Sequence, residues 1–176
     1  MAKHYDTLNG PLMQFITEQK IFFVASSTEG ENVNLSPKGY ESLAIIDEST
    51  VCYLDYPGSG NETARHTKSD GRLSMMFCSF DKKPLILRLY GEGEAVSPEG
   101  ERFSELISLF KEKELDIVRQ IIVLNIKSVM TSCGYGVPFF EYKGDRNQLR
   151  DWSLIKAKEG TLDKYMGKTK NRLLED

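Results

Sequence analysis

Short strand-compatible runs follow one another along most of this chain, and the gaps between them rarely leave room for a helix. Such runs cover residues 21–26, 32–36, 41–46, 50–55, 72–80, 85–96 and 119–131. Strands that are near neighbours in sequence and joined by short turns pair antiparallel, whereas parallel pairing needs a long crossover. The pattern therefore predicts a mainly β fold, an antiparallel barrel with flanking helices, over alternating β-α-β units. Helical spacing is confined to residues 7–19, 61–68, 99–110 and 146–158, the second opening inside a glycine-bearing loop. The 176 residues suit one domain with a sizeable core. With no internal repeat or low-complexity linker, residues 1–176 are expected to form a single domain, with 143–176 as its helical C-terminal extension.

Composition removes several function classes. A net charge of −3 gives no general footprint for nucleic acid. No apolar run approaches the ~18–20 residues that span a membrane, and the first residues lack a secretory apolar core, so neither a membrane partner nor export is expected. Cys52, Cys78 and Cys133 are odd in number and not spaced as C-x-x-C, which suits reduced thiols in a cytoplasm. With His4 and His66 as its only histidines, the chain is not expected to carry a histidine-rich metal centre.

Three stretches point to chemistry. The first is LDYPGSGNETARH, from Leu54 to His66, where a strand runs through Asp55 into a loop containing Pro57, Gly58, Ser59 and Gly60. Glycine admits backbone angles closed to other residues, so successive amides could converge on an anion. The helix beginning at Asn61 would add free N–H groups and the positive end of its dipole. Ser59, Asn61 and Thr63 would add polar side chains, and Arg65 or His66 positive charge. The same letters also satisfy a capping box, Ser59 to Glu62, which would make the loop a helix start and nothing more. The spacing fits neither a P-loop nor a dinucleotide fingerprint, since position 63 is threonine. The second stretch is residues 32–38, where Asn32, Asn34, Ser36 and Lys38 share one face and Val33 and Leu35 the other. Such a polar face meets either solvent or a ligand, and Pro37 requires the strand to end or lie at a sheet edge there. The third is LILRLY, residues 85–90, which sets Arg88 between Ile86 and Tyr90 on one face. If buried, that charge needs a carboxylate, a bound anion or the edge of a flavin ring.

Together with FFVASS, VNLSPKGYESLAIID, RLSMMFCSFDKKPLILRLYGEGEAV and SCGYGVPFFEY, the loop makes the chain resemble the pyridoxamine 5′-phosphate oxidase-like family over most of residues 21–142. The resemblance implies a six-stranded FMN-binding split barrel of antiparallel Greek-key type, usually a homodimer with FMN at the interface. It also implies the cofactor contacts. Ser36 and Lys38 match the end of the first gripping strand, Asp55, Ser59, Gly60 and Asn61 the strand–loop–helix element, and Arg88 an arginine beside the flavin. Where the oxidases have Ser-Arg-Lys this chain has Ser-Gly-Asn, so Lys38, Arg65 or His66 must supply the phosphate's positive charge. No histidine follows His66, which departs from the Arg-x-His substrate signature of true vitamin B6 oxidases. The resemblance thus implies an FMN-dependent oxidoreductase of unknown substrate, with a nicotinamide or small molecule as electron partner. Alternatives are a flavin carrier or sensor, a haem-handling split barrel and a cofactor-free interaction module. Cys133–Pro138 is expected to be a turn leaving the last strand or a lining of the flavin or dimer seam, and Trp152 a packing residue.

Overall fold

The computed structural model of the protein describes residues 2–171. Within them, eight strands form one antiparallel sheet that curls strongly into a half-barrel, and five α-helices flank it. The strands are β1 (Lys3–Tyr5), β2 (Phe22–Ser26), β3 (Asn34–Lys38), β4 (Leu43–Asp47), β5 (Thr50–Asp55), β6 (Arg72–Cys78), β7 (Ile86–Val96) and β8 (Gln120–Ser132). Their spatial order is β3-β2-β6-β7-β8-β5-β4, and β1 pairs with the far end of β8. β5 thus lies beside β8 and β2 beside β6, a Greek-key arrangement, with eight strands where six were implied.

Each strand is placed by where its apolar side chains can go. Along β5, Val51 and Tyr53 enter a core with Val24, Met75, Leu87, Leu89 and Val129. Cys52 and Leu54 on the opposite face meet a second core with Phe103, Leu106 and Val118. Helix α1 (Gly10–Glu18) opens with Asn9, whose side chain accepts from the Leu12 amide, and with Pro11 in its first turn. It buries Leu12 and Ile16 against the first core. Helix α3 (Glu101–Ile107) covers the second core with Phe103 and Leu106. It stops short of the predicted residue 110, the chain continuing as turns through Phe110. Beyond the 3-10 turn Leu115–Ile117 and β8 come α4 (Gln148–Lys158) and α5 (Leu162–Asn171). Trp152 of α4 meets Tyr165 of α5 edge to face at 4.7 Å, the packing role its sequence suggested.

Two glycines are required by their surroundings. At Gly91, where the β7–β8 register shifts, a Cβ would collide with the carbonyl of Asn125. At Gly134, φ is +66° and a Cβ would lie 2.9 Å from the Leu85 backbone nitrogen, so the segment after β8 is a tight turn closed by Val137 N–H to the Gly134 carbonyl. Strand β4 begins later than residue 41 because Tyr40 and Glu41 both take left-handed angles, φ 63° and 51°, which end the extended run.

Candidate functional site

The side chains singled out on β3, β5 and the loop before α2 (Glu62–Ser69) converge, and a buried carboxylate is the reason. Asp55 is 4% exposed at the end of β5. Its Oδ1 accepts from Lys38 Nζ at 3.1 Å. Its Oδ2 accepts from Arg119 Nε at 2.9 Å and Nη2 at 2.8 Å, and from Gln120 Nε2 at 2.7 Å. Burial by itself would push the Asp55 carboxyl up. The charges of Lys38 and Arg119 and the bonds from Gln120 and Arg119 outweigh burial and hold it below the usual carboxylate value. Lys38 also lies 5.4 Å from the Tyr53 ring centroid, a cation–π contact on the core side.

Arg119 and Gln120 also anchor the loop. Arg119 Nη1 donates to the Gly60 carbonyl at 2.9 Å, and Gln120 Nε2 to Asn61 Oδ1 at 2.7 Å. With that oxygen engaged, the Asn61 side-chain amide N–H groups are its remaining donors. Neither two-way reading of the loop is realised as written. Gly58 and Gly60 are absent from the left-handed region, so alternating left-handed angles do not build an anion nest. Nor does Ser59 cap α2: Asn61 is the N-cap residue, without a side-chain capping bond, and the helix starts at Glu62. A Cβ on residue 60 would collide with the Glu62 carboxylate, which therefore packs against the bare Gly60 beside the first turn of α2. The anion-favouring end of the helix already draws a negative group.

Strand β3 joins the same cluster with the orientation of its faces reversed from a simple solvated edge. Asn34, Ser36 and Lys38 are half-buried and point inward, while Val33 and Leu35 are 70% and 66% exposed. Asn34 Nδ2 donates to Thr63 Oγ1 at 3.1 Å, and Ser36 Oγ to Asn34 Oδ1 at 3.4 Å. β3 is an edge strand, so Pro37 loses no ladder bond that a neighbour needs, and the strand runs on through Lys38.

Arg65 and His66 do not reach the loop. Arg65 Nε donates to the Glu31 carboxylate at 3.0 Å. His66, fully buried, sits between Ser26 Oγ at 3.0 Å from Nδ1 and the Glu31 carboxylate at 3.2 Å from Nε2. Both fasten α2 to the turn before β3, which leaves Lys38 as the cation facing the cluster beside Arg119. Arg88 stands apart as well. A cross-strand row runs Pro37, Phe23, Met76, Arg88, Met130 and His4, all on the outer face of the sheet. The adjacent row, Ser36, Val24, Met75, Leu89 and Val129, faces inward. Arg88 and Lys38 therefore lie on opposite faces of one sheet. Arg88 Nη1 donates to Ser132 Oγ at 3.1 Å, and among the described residues no carboxylate pairs with it.

Arg119 and Gln120 were missed as site residues by sequence reasoning, whereas Asn34 had been placed on the polar face of residues 32–38. The signal was thin: the polar pair Arg119-Gln120 stands directly before the apolar run Ile121–Leu124, and only the pairing of Asp55 with Gln120 brings it to the loop.

A model of the pyridoxamine 5′-phosphate oxidase family matches residues 9–133. The chain belongs to the pyridoxamine 5′-phosphate oxidase family. Within it, the family protein ustO of Aspergillus flavus is 38% identical over 148 residues, covering 82% of this chain and 59% of the relative. The chain thus spans about 59% of the length of that curated relative. Among solved structures, HupZ of Group A Streptococcus superposes with a TM-score of 0.55 at 16% identity, covering 69% of this chain and 91% of the other. A candidate pyridoxamine 5′-phosphate oxidase of Lactobacillus delbrueckii gives 0.55 at 16%, covering 71% and 94%. An FAD binding protein of Mycobacterium smegmatis gives 0.52 at 7%, covering 73% and 97%. At these identities the structures share the fold with this family member, a split barrel.

The groups that could hold an anionic part of a cofactor here are the Lys38 ammonium, the Asn61 side-chain amide and the backbone N–H groups at the start of α2, where the Glu62 carboxylate now packs.

Proposed function

We propose that this chain is an FMN-binding oxidoreductase that works as a homodimer, with the FMN phosphate held by Lys38 and the Ser59–Asn61 loop. The observation that carries the reading is the Asp55 cluster. One buried carboxylate orients Lys38 from β3 and, through Arg119 and Gln120, fixes the loop opposite it. Asp55 in this account is a positioning residue. It is surrounded by its own donors, Lys38, Arg119 and Gln120, and the Asn61 oxygen is taken by Gln120, so the Asn61 N–H groups are the ones this account gives to a ligand. The FAD binding protein of the same fold supports a flavin.

A bound flavin would supply two-electron hydride chemistry. The chain's own contribution is orientation and electrostatics. Arg88 supports the dimer in this account: it is half-buried on the outer face among Phe23, Met76 and Met130, so it can reach a flavin only from a second copy seated on that face. The exposed Val33 and Leu35 extend the same face. A nicotinamide or another small molecule would be the electron partner.

The test is the absorption spectrum of the purified protein, with mass identification of what denaturation releases. A flavin spectrum and release of FMN are expected. A colourless protein that gains no flavin bands on incubation with FMN would overturn the proposal.

A further inference from the structure

A row of polar side chains runs without a break from the inward face of β3, through the start of α2, to a carboxylate at the surface. Ser36 Oγ donates to Asn34 Oδ1 at 3.4 Å, and Asn34 Nδ2 to Thr63 Oγ1 at 3.1 Å. Thr63 Oγ1 lies 3.4 Å from Ser26 Oγ, which lies 3.0 Å from His66 Nδ1. His66 Nε2 ends the row on the Glu31 carboxylate at 3.2 Å, and the Glu31 side chain is 36% exposed. Ser26, Thr63 and His66 are all buried, so their hydrogens are shared out within the row.

The charge on His66 sets the direction of that row. The bond from Arg65 holds the Glu31 carboxyl below the usual carboxylate value, and a carboxylate only accepts, so His66 Nε2 carries a hydrogen in either state of the ring. In the neutral imidazole Nδ1 accepts the Ser26 hydrogen, and Ser26 in turn accepts the Thr63 hydrogen. Protonation puts a hydrogen on Nδ1, and both hydroxyls turn about: Nδ1–H donates to Ser26, and Ser26 donates to Thr63. Thr63 then accepts from Ser26 and Asn34 and has its own hydrogen to give. It stands in the first turn of α2, two residues beyond Asn61. The buried Tyr53 hydroxyl beside it is a neutral acceptor, and a phosphate oxygen, being charged, is the stronger one.

The charge balance works in the same direction. Arg65 already neutralises Glu31, so an imidazolium at position 66 adds a positive charge in a buried place. The strands packed against α2 are β2, β6 and β7. β2 carries no titratable side chain. Arg72 of β6 is tied to Asp70, and Glu92 and Glu94 of β7 to Lys127 and Arg102. Arg88 and Tyr90 of β7 stand on the outer face. On α2 itself Glu62 packs against Gly60, and Lys68, two residues on, does not share the His66 face. A buried charge is costly unless it is compensated, and an anion held one turn away at the start of α2 compensates it.

We propose that His66 is a proton switch for the anion site: its protonation reverses the Ser26 and Thr63 hydroxyls, turns the Thr63 hydrogen toward the start of α2 and strengthens the hold on an FMN phosphate there. The proposal rests on the phosphate reading given above, and by linkage the bound phosphate draws a proton onto His66. It is tested on the full chain by flavin-fluorescence titration with FMN and riboflavin at pH 8 and pH 5.5, across the range where histidine changes charge. Glu31 and Asp55 stay ionised throughout that range. The phosphate's own titration is the same for every variant, so the quantity read is the ratio of wild-type to variant affinity for FMN. For His66→Gln that ratio is expected to be at least about fivefold larger at pH 5.5 than at pH 8. The same is expected for Ser26→Ala, which keeps the imidazole and breaks the row. Riboflavin should show no such change, and His4→Gln, which removes the other histidine, should keep the wild-type pH dependence. Circular dichroism and melting at both pH values establish that each variant is folded, and Ser26→Ala decides the matter if His66→Gln does not fold. The proposal is overturned if a folded His66→Gln or Ser26→Ala protein keeps the wild-type pH dependence, if His4→Gln loses it, or if riboflavin shares it. FMN bound no more tightly than riboflavin at pH 8 would end the phosphate reading and this proposal with it, so the two failures are told apart.

Discussion

Lys38 and Asp55 join strands from opposite ends of the open sheet: their 3.1 Å ion pair links the outermost strand β3 to β5, the last but one on the other side. The same carboxylate also carries Arg119 and Gln120, so removing its charge leaves two cations facing one another in a buried place. Asp55→Asn is expected to destabilise the protein by about 3 kcal/mol at neutral pH, at the low end of the cost of breaking a buried pair because the Lys38 side chain is 22% exposed and can rehydrate. The folded carboxyl titrates below its ordinary value of 3.8. Its contribution is therefore fully present above that value and is lost as the pH falls through the lower folded one. Chemical denaturation at a series of pH values checks this. The gap between wild type and variant should be widest near neutrality and close below about pH 4. Equal stability at pH 7 would contradict it.

Leu35 and Val33 tell where a second copy would sit. Both are largely exposed on the outer side of the β3 margin, beside the row that contains Arg88. Light scattering is expected to give twice the 20.0 kDa chain mass. Leu35→Glu should shift it to the chain mass without altering the circular dichroism, and should lower FMN affinity as well if Arg88 acts from the partner. A wild-type monomer at micromolar concentration would rule out the dimer.

The thiols differ sharply in environment. Cys52 and Cys78 are buried and Cys133 is exposed. Burial pushes the Cys52 thiol up to about 12, and burial also raises Cys78. Because the thiolate is the nucleophile, iodoacetamide at pH 8 should label Cys133 alone in the native protein and all three after denaturation. Native labelling of Cys52 at a comparable rate would contradict the packing described.

The fold was legible because its elements are placed by local pattern. The alternation of residues 32–38 and 85–96 and the apolar run of 119–131 each specify a strand, and the short turns between neighbours specify antiparallel pairing. β1 was not legible: Lys3–Tyr5 has no apolar pattern and becomes a strand only because β8 offers a free edge at Val129–Thr131. The candidate site could be read in part: Lys38, Asp55 and Asn61, from two contiguous pieces, are joined in one hydrogen-bonded cluster. It was illegible where tertiary structure decides. Arg65 and His66 carry the right chemistry, but α2 turns them toward Glu31, whereas Arg119 carries it too and is delivered by strand pairing across 64 positions. The face on which Arg88 stands follows from alternation, but that it is the face opposite Lys38 depends on the register of four strands. Expectations for residues 172–176 lie outside the described residues.

The central claim is that the Lys38 side of the loop holds a phosphate, and comparing FMN with riboflavin tests it most directly, since the two ligands differ only in that group. Flavin-fluorescence titrations of the wild type are expected to show FMN bound far more tightly than riboflavin. Lys38→Ala, and separately Ser59→Ala with Asn61→Ala, should each weaken FMN by roughly 10- to 150-fold, the equivalent of a charge-assisted hydrogen bond of about 1.5–3 kcal/mol, and leave riboflavin nearly unchanged. Asp55 keeps Arg119 and Gln120 in the Lys38 variant, so the loop stays anchored and the loss reports the missing ammonium. Equal affinity of the wild type for FMN and riboflavin, or folded variants that bind FMN as tightly as the wild type, would contradict the account.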